Sequence, residues 1–332
     1  MTLKRRVFLL PILLLIVVCA FIISLSIGDS SFSIQQIFNL LLGKTSPDMI
    51  LIITKIRLPR ILASLFGGAS LALAGRLLQT LTKNPLADSG ILGINAGAGL
   101  VIAIMVSFAN LENPDTIHYL PFLAMLGSFT STFLVYHLSL GRNRQINPFT
   151  LIIIGVGFST MLSSFMIALV GNINRYKVDY IVNWLSGRIS GDDWTSLEIL
   201  TPLMLILWVI VFSKAYQLNI LSLSEESAIS LGLNVKRERL LCLVLATSLA
   251  ALSVSLVGNI TFIGLISGHL GQRLLGDDHR LNLPASLLIG MILLLVSDTI
   301  CRVFLVGANI STGIIISLIG APYFLYLMFR SH

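Results

Sequence analysis

The sequence predicts an all-α protein that crosses a membrane about ten times, and its composition and hydropathy are the observations that predict this. Of its 332 residues, 55% are hydrophobic and only 11% are charged, and the mean hydropathy is +0.92. Soluble globular chains carry about 25% charged residues, so this composition excludes that class. Ten apolar runs reach or approach the length of a bilayer span; they occupy residues 7–27, 60–78, 91–109, 119–139, 148–171, 195–213, 238–257, 260–275, 284–305 and 312–329.

The first apolar run follows a basic start, "MTLKRRVFLLPILLLIVVCAFIISLSIG". A cleaved signal peptide and a lipid-anchored Cys19 are the two alternatives to a membrane span. The run from Val7 to Ile27 is as long as a full span and lacks a small-x-small cleavage pattern, and Val18 is not the small residue expected before a lipidated cysteine. We therefore interpret this run as the first transmembrane helix.

The second and eighth spans are distinguished by their small residues. On the second span, small residues recur at Ser64, Gly68, Ala72 and Gly75. This spacing predicts close packing between helices, because lipid provides no hydrophobic drive for helices to associate. The eighth span is short and interrupted by glycine. We expect one transmembrane domain over residues 1–332, with no second soluble domain.

The distribution of positive charge predicts the orientation in the membrane. An even number of spans places both termini on the same side. If the basic N-terminus is cytoplasmic, 14 of the 22 Lys and Arg residues fall inside and the other 8 fall outside. This agrees with the excess of positive charge on cytoplasmic loops of membrane proteins. Both termini are therefore predicted to be cytoplasmic.

A charged segment, "LSEESAISLGLNVKRER" at residues 223–239, separates two apolar runs. Ser222 and Glu225 fit a capping box at the start of a short helix. Gly232 is placed to end that helix in the left-handed conformation, and Asn234 is placed to cap the next helix. The pattern is compatible with an ordered, solvated loop and with a rigid surface for a cytoplasmic partner.

Five blocks of sequence follow one another along the chain: "RLPRILASLFGGASLALAGRLLQTLTKNPLADSGILGINAGAG", "WLSGRIS", "SEESAISLGL", "GNITFIGLISGHLGQRLLGDDHRLNLP" and "TGIIISLIGAPYFLYL". Together they extend from about residue 57 to residue 327. In these blocks the chain resembles the permease subunits of bacterial iron-chelate and cobalamin ABC importers. The resemblance implies a multi-pass protein of the bacterial cytoplasmic membrane. Departures from the family pattern, in the eighth span and near the outer rim, occur at Gly268, Gly271, Gln272, Asn309 and Ser311.

The resemblance also implies an assembly of several subunits. A second permease chain, identical or paralogous, would join two cytoplasmic ATPase subunits and an extracytoplasmic substrate-binding protein. This chain lacks the GxxxxGK[ST] phosphate loop, so it is expected to be a transport subunit and not an enzyme, with no cofactor of its own. Within a coupling segment at about residues 218–237, the resemblance assigns ATPase contact to Ser224, Glu225, Glu226, Ala228, Leu231 and Gly232.

Three arginines are assigned by the resemblance to the outer face of the membrane. Arg57 and Arg60 of "RLPR" begin the second span, and Arg302 lies near the outer end of the ninth. Arginine can donate paired hydrogen bonds to carboxylates, which suits docking to acidic groups on a binding protein. Snorkelling of these side chains to the membrane interface is the alternative. For Arg302 a simple ion pair with Asp298, one turn earlier, is a further alternative.

A candidate translocation pathway lies on the fifth span, where Ser159, Ser163 and Met166 recur at helical spacing. Their mixed, weakly polar face would suit a sliding chelate. Ordinary packing of small residues explains the same pattern equally well.

No metal site is expected, because the potential metal ligands are dispersed. The two histidines that match family positions are ten residues apart across a membrane boundary, and the three cysteines form no close pair. These residues are His269, His279, Cys19, Cys242 and Cys301.

The function predicted from these features is transport of an iron chelate by the permease subunit of an ABC importer, with a ferric siderophore as the cargo. Haem and cobalamin are the alternative cargoes within the same family. An ion-coupled secondary transporter is a weaker alternative, since it would need ionisable groups deep in its helices, and Arg302 can neutralise Asp298. A membrane enzyme would need a cluster of catalytic groups, which the spacing of the histidines does not provide.

Overall fold

The computed structural model describes residues 8–28, 36, 46–90, 92–108, 114–141, 147–171, 173–189, 193–304 and 310–330. In the range 114–141 side chains are described from residue 119 onward, and in the range 310–330 they are described up to residue 329. In chain order, the helices there are α1 (Leu9–Ser26), α2 (Pro47–Leu51), α3 (Leu58–Thr82), α4 (Ile94–Phe108), α5 (Pro114–Ser139), α6 (Pro148–Val170), α7 (Arg175–Leu185), α8 (Trp194–Ser213), α9 (Ala215–Leu221), α10 (Glu225–Ser230), α11 (Val235–Val257), α12 (Ile263–Leu275), α13 (His279–Phe304) and α14 (Thr312–Arg330).

Each of the ten predicted spans coincides with a helix, which confirms the all-α membrane fold. Eight helices in the described part of the chain are long and apolar enough to cross a membrane. The two others are α4, with 15 residues, and α12, with 13. At 1.5 Å per residue α12 is only about 20 Å long, so it does not cross a bilayer by itself.

The second span is longer than predicted. A six-residue π-helical stretch, Ile52–Arg57, joins α2 to α3 and makes one helix of 36 residues from Pro47 to Thr82. Apolar residues continue through the π-helical stretch, but the charges at Lys55 and Arg57 made this part look like an external segment. The predicted orientation concerns the two chain ends, and one departure from the family pattern is at Asn309. The chain ends and Asn309 lie outside the described residues.

Helix α3 is the centre of the bundle and packs against α11, α12 and α13. Its small residues allow this, as predicted: Gly68 lies against the backbone of Gly290 on α13, and Gly75 lies against the backbone of Gly264 on α12. A side chain at either α3 position would collide with the facing backbone. Close approach of backbones maximises dispersion contact where no hydrophobic drive exists.

The turn between α11 and α12 is held by groups from the loop after α3 and from the first turn of α4. Phe262 has a positive φ of 69°, and its backbone N–H donates to Asp88 Oδ2 at 3.1 Å. The Nδ2 atom of Asn95 donates to Asn259 Oδ1 in the same turn at 2.9 Å. These contacts fix the start of the short α12, and its last turn then lies beside the end of α3.

Two opposite ends of the bundle carry the candidate sites. We call the end that contains Lys83, residues 218–237 and Asp278 the coupling face, since Lys83 contacts Leu223 and Asn219 contacts Asp278. We call the end that contains Arg57, Arg60 and the last turn of α1 the arginine face. Helix α3 runs from the arginine face to the coupling face.

Candidate functional site

The coupling segment consists of two short helices with different exposure. Helix α9 is packed into the bundle through four buried residues, Ala215, Leu218, Ile220 and Leu221. Helix α10 follows and presents Glu226, Ile229 and Leu231 to the outside, with Leu231 61% exposed. An apolar pair with an adjacent carboxylate, exposed on an anchored base, is a surface suited to a protein partner.

The N-terminal cap of α10 differs from the predicted capping box. Ser224 is the N-cap, and its Oγ accepts a hydrogen bond from Ser227 N at 3.2 Å. Ser222 instead ends α9 and donates its hydroxyl to Asn219 O at 2.7 Å. The helix therefore starts two residues later than the box requires. The prediction was wrong because the chain offers two serines at compatible spacing, and the length of α9 decides between them.

The other two local predictions for this segment are confirmed. Gly232 has a φ of 80°, and none of the described residues elsewhere approaches within 4 Å of the position that a side chain would take. Asn234 caps α11 by accepting from Arg237 N at 3.1 Å. A residue other than glycine at position 232 would be strained by its backbone and not by crowding.

Helix α10 is tied to α11 by an ion pair that connects Glu225 Oε2 to Arg239 Nη2 at 3.0 Å. The arginine side chain is only 8% exposed, whereas that of Glu225 is 40% exposed. Ala228 on the inner face of α10 is buried, and its carbonyl accepts from Leu233 N at 3.1 Å. Of the six residues assigned to ATPase contact, Glu225 and Ala228 thus hold α10 in place, and the others lie exposed on its surface.

The base of the coupling segment is bound to the start of α13. Asn219 donates through Nδ2 to Asp278 Oδ1 at 2.8 Å, and its Oδ1 accepts from His279 N at 2.8 Å. The hydrogen bond from Asn219 is the main cause that lowers the pKa of the Asp278 carboxyl. Lys83 at the end of α3 donates to the carbonyl of Leu223. A movement of α10 would therefore be passed to both α3 and α13.

At the arginine face, Arg57 is not on the surface as expected. The residue is only 5% exposed, and its Nη1 donates to the carbonyl of Leu25 at the end of α1 at 2.6 Å. Gly28 lies against the same guanidinium, which leaves no room for a side chain there. The burial of Arg57 under the end of α1 was not visible in the sequence, because the two segments are about 30 residues apart.

Arg60 and Arg302 meet at one buried carboxylate. The Nε and Nη2 atoms of Arg60 lie 3.0 Å from Asp298 Oδ1, and Nε of Arg302 lies 2.9 Å from Oδ2. Thr312 on α14 donates to the same carboxylate at 3.2 Å, and Arg302 also donates to Ser24 on α1. Asp298 is fully buried, while the arginine side chains are 22% and 15% exposed. We call the group formed by Arg60, Asp298, Arg302 and Thr312 the Asp298 cluster.

The Asp298 cluster connects α3, α13 and α14, and Ser24 adds α1. Two guanidinium groups against one carboxylate leave a net charge of +1, and both cations remain partly exposed. The ion pair that the sequence suggested for Arg302 is present, and Arg60 joins it. Both arginines therefore hold the bundle together, and their outer atoms can still face an acidic partner.

The three pathway candidates on α6 do not share one open face. Ser159 donates to Gly155 O at 2.8 Å within the helix and to Gly90 O at 3.3 Å. Met166 is only 7% exposed and packs near Gly99 on α4. Met166 does not face an open surface of this chain, because this side of α6 packs against α4 and the loop before it. Ser163, which lies between Ser159 and Met166 along α6, is half-buried.

A different stripe of α6 is open. Gly157, Thr160 and Ser164 are exposed, and in the part of the chain that the structure describes nothing lies within 4 Å of the side-chain position of Gly157. The hydroxyls of Thr160 and Ser164 donate to carbonyls of their own helix at 2.9 Å. The stripe therefore consists of small side chains whose hydroxyls are already bonded, so it would bind a passing molecule only weakly. Helical periodicity was the available signal, but the sequence contains two such stripes and does not say which one packs.

The candidate metal ligands make other contacts. His269 Nδ1 lies 2.6 Å from the hydroxyl of Tyr323, and His279 Nε2 lies 2.8 Å from the hydroxyl of Thr80. In the described residues, no group of three or more His, Cys, Asp or Glu side chains is arranged to hold a metal ion. Gly268, one of the departures from the family pattern, is in contact with the Gln79 amide, which fills the space of a side chain.

Known proteins are similar to this chain over nearly its whole length. The sequence profile of the FecCD transport family matches residues 14–330. The iron(3+)-hydroxamate import system permease protein FhuG of Bacillus subtilis is 33% identical over 333 residues, covering 99% of this chain and 98% of that protein. The Fe(3+)-citrate import system permease protein YfmE of the same organism is 36% identical, with 98% and 96% covered.

A solved structure has the same fold. It is described as a metal-chelate type ABC transporter in an inward-facing conformation, and it superposes on this chain with a TM-score of 0.84 at 31% identity. The match covers 99% of this chain and 100% of the other.

Proposed function

The chain belongs to the FecCD transport family, and we propose that it is the ABC importer permease that carries an intact ferric siderophore across the bacterial cytoplasmic membrane. It is a multi-pass membrane protein and a transport subunit. The observation that carries the proposal is the coupling segment: an exposed helix, α10, on a base that is bound to two membrane helices. Similar relatives named for iron-hydroxamate and iron-citrate import support the cargo.

In this proposal α10 seats in a groove of a separate ATPase subunit. Glu226, Leu231 and the α10 N-terminus at Ser224 supply the contact, while Glu225, Ala228 and Gly232 set its shape. The coupling face is then cytoplasmic, as are both termini. A rigid-body shift of α10 would move α3 and α13 together, because Lys83, Asn219 and Asp278 join them. No cofactor is assigned to this chain, and ATP would be bound by its partner.

The arginine face would dock an extracytoplasmic binding protein. Arg60 and Arg302 are the proposed contact residues, since both are partly exposed and the cluster retains a positive charge. Arg57, with its guanidinium buried against α1, would act by positioning the end of α1 and the start of α3 and not by touching the partner.

The pathway would form between this chain and a second permease chain, identical or paralogous. The open stripe of Gly157, Thr160 and Ser164 suits a cargo that must slide and not bind. Of the first candidates, Ser159 and Ser163 would flank this stripe, and Met166 would support it from behind. A chelate already satisfies its metal, so a pathway without metal ligands is sufficient.

The test is uptake by vesicles that contain the complete complex with its ATPase and binding protein. The cargo is labelled twice, on the iron and on the chelator, and ATP is supplied on the ATPase side. We expect both labels to enter in equal amounts, only with ATP. Entry of iron alone contradicts the intact-chelate mechanism. Entry of haem or cobalamin, and not of any siderophore, contradicts the cargo, and uptake driven by an ion gradient without ATP contradicts the class of transporter.

A further inference from the structure

A polar cavity of about 310 Å³ lies at the coupling face, between the end of α3, the turn before α10 and the loop after α12. Its volume is at the lower end of the range for small-molecule sites. No residue of the neighbouring helix α10 is among those that line it. The residues that line it are Arg76, Gln79, Thr80, Lys83, Pro85, Ser222, Gln272 and Asp277.

Arg76 is the innermost charged residue of this cavity. The residue is only 5% exposed, and its guanidinium donates to Gln272 Oε1 at 3.1 Å and to Asn282 Oδ1 at 3.3 Å. Both acceptors are neutral amides, and Arg76 belongs to none of the ion pairs formed among the described residues. A buried cation without a paired carboxylate is costly, and an anion in the cavity would remove that cost.

A second cation adds to the positive charge of the cavity. Lys83 lies exposed at the opening of the cavity, so Arg76 and Lys83 against the single carboxylate of Asp277 leave a net charge of +1. The Oε1 atom of Gln79 does not contribute to the site, because it is buried against Gly268 on α12.

The two cations suit an anion with more than one charged group. Arg76 lies on α3, and Lys83 is the residue that ends this helix. Two linked phosphate groups would contact both, the inner one on the arginine fork and the outer one on the lysine ammonium.

We propose that this cavity binds an anion of the phosphate class at the coupling face of the protein. The anion would contact Arg76 inside and Lys83 at the opening. Ser222 lines the same cavity, and Lys83 also contacts the carbonyl of Leu223. Occupancy would therefore stiffen the base of the coupling segment. The proposal does not depend on the cargo that the protein carries.

The test measures binding of inorganic phosphate and of pyrophosphate to the purified full chain in uncharged detergent, by calorimetry at constant ionic strength. We expect pyrophosphate to bind more tightly than phosphate. Arg76→Gln and Lys83→Gln should each weaken pyrophosphate binding at least tenfold. Lys236→Gln is the matched control, because Lys236 is an exposed cation on the same face and does not line the cavity.

Lys83→Gln keeps the test decisive if Arg76→Gln folds poorly, because Lys83 is exposed. A second arm places the chain in nanodiscs of phosphatidylcholine or of phosphatidylglycerol. If pyrophosphate binds only in phosphatidylcholine, the lipid headgroup competes for the site, and the proposed chemistry stands with lipid as a source. Equal binding by the wild type, Lys83→Gln and Lys236→Gln, or no binding of either probe with no effect of phosphatidylglycerol, overturns the proposal.

Discussion

The coupling face and the arginine face both use ion pairs, but they are built from opposite kinds of contact. At the coupling face, the residues that shape α10 are neighbours in sequence: Glu225 and Arg239 are 14 residues apart, and Ser224 and Ser227 only three. At the arginine face, Arg60 and Asp298 are 238 residues apart. The first site is an exposed and locally determined surface, whereas the second exists only after four helices have packed.

This difference predicts that the two faces fail in different ways. Damage at the Asp298 cluster should reduce the stability of the whole bundle, because a fully buried carboxylate is paired with two cations there. Damage at α10 should leave the bundle intact and impair communication with the partner. The four changes below separate these outcomes, from the largest expected effect to the smallest.

Replacing Asp298 with asparagine should have the largest effect. Asparagine has the same size but no charge, so Arg60 and Arg302 would face each other across a neutral amide. Removing one partner of a buried ion pair costs about 3–5 kcal/mol. We expect a loss of this size in the free energy of unfolding, measured by denaturant titration in mixed micelles. Asp193→Asn is the control, since Asp193 is an exposed N-cap where asparagine serves equally well.

A double change sharpens the same test. Adding Arg60→Gln to Asp298→Asn removes one of the two opposed cations, and should restore part of the lost free energy. A double variant that is as unstable as the sum of the two single variants would show that the arginines do not share the carboxylate energetically.

The second change reverses charge on α10 by Glu225→Lys together with Glu226→Lys. The segment is a surface, so the amount of folded protein in the membrane should change by less than about twofold. ATP-driven uptake should fall at least tenfold, equal to about 1.4 kcal/mol, because Glu226→Lys reverses a charge that contacts the partner and Glu225→Lys replaces the ion pair that holds α10 to Arg239 with two like charges. Glu225→Gln with Glu226→Gln is the graded control. Normal uptake with a normally bound ATPase would refute the coupling role.

The third change tests docking at the arginine face without removing the buried carboxylate. Arg60→Gln should weaken docking of the binding protein about fivefold, or about 1 kcal/mol, and more strongly at low salt than at high salt. Arg57→Gln is the matched comparison, because Arg57 is buried against Leu25 and should show no salt-dependent change in affinity. Equal salt dependence of both variants in a titration of the partner would contradict the proposed division of roles.

The same contrast explains which features could be predicted from the sequence. The positions of the ten helices, the small-residue face of α3, the left-handed Gly232 and the Asn234 cap follow from local pattern, and the structure confirms them. These patterns can be recognised because each depends on residues that are close together in the sequence. Even there, the cap of α10 was misplaced by two residues, because Ser222 fits the capping box but Ser224 can also serve as an N-cap.

Long-range features were only partly accessible. The pair of Asp298 with Arg302 is one helical turn and was foreseen, while Arg60 joins it from another helix. Asp88, which binds the turn before α12, has no local signal that would pair it with Phe262, 174 residues away. The side of α6 that packs inward depends on where α4 lies, so Met166 could not be distinguished from Thr160 by periodicity.

The smallest expected effect separates the two serines of the coupling segment. Ser224→Ala removes the acceptor for the N–H of Ser227, and loss of such a cap costs about 1 kcal/mol. Ser222→Ala removes only a bond to the carbonyl of Asn219 at the end of α9, which leaves no N–H without an acceptor. Hydrogen exchange of the α10 amides is the appropriate measurement, because the effect is confined to one short helix and would be small in global unfolding. We expect exchange at Ser227 to speed up about fivefold in Ser224→Ala and to stay unchanged in Ser222→Ala. Equal acceleration in both variants would mean that the capping box starting at Ser222 also forms in solution, and that α10 begins two residues earlier than in the structure.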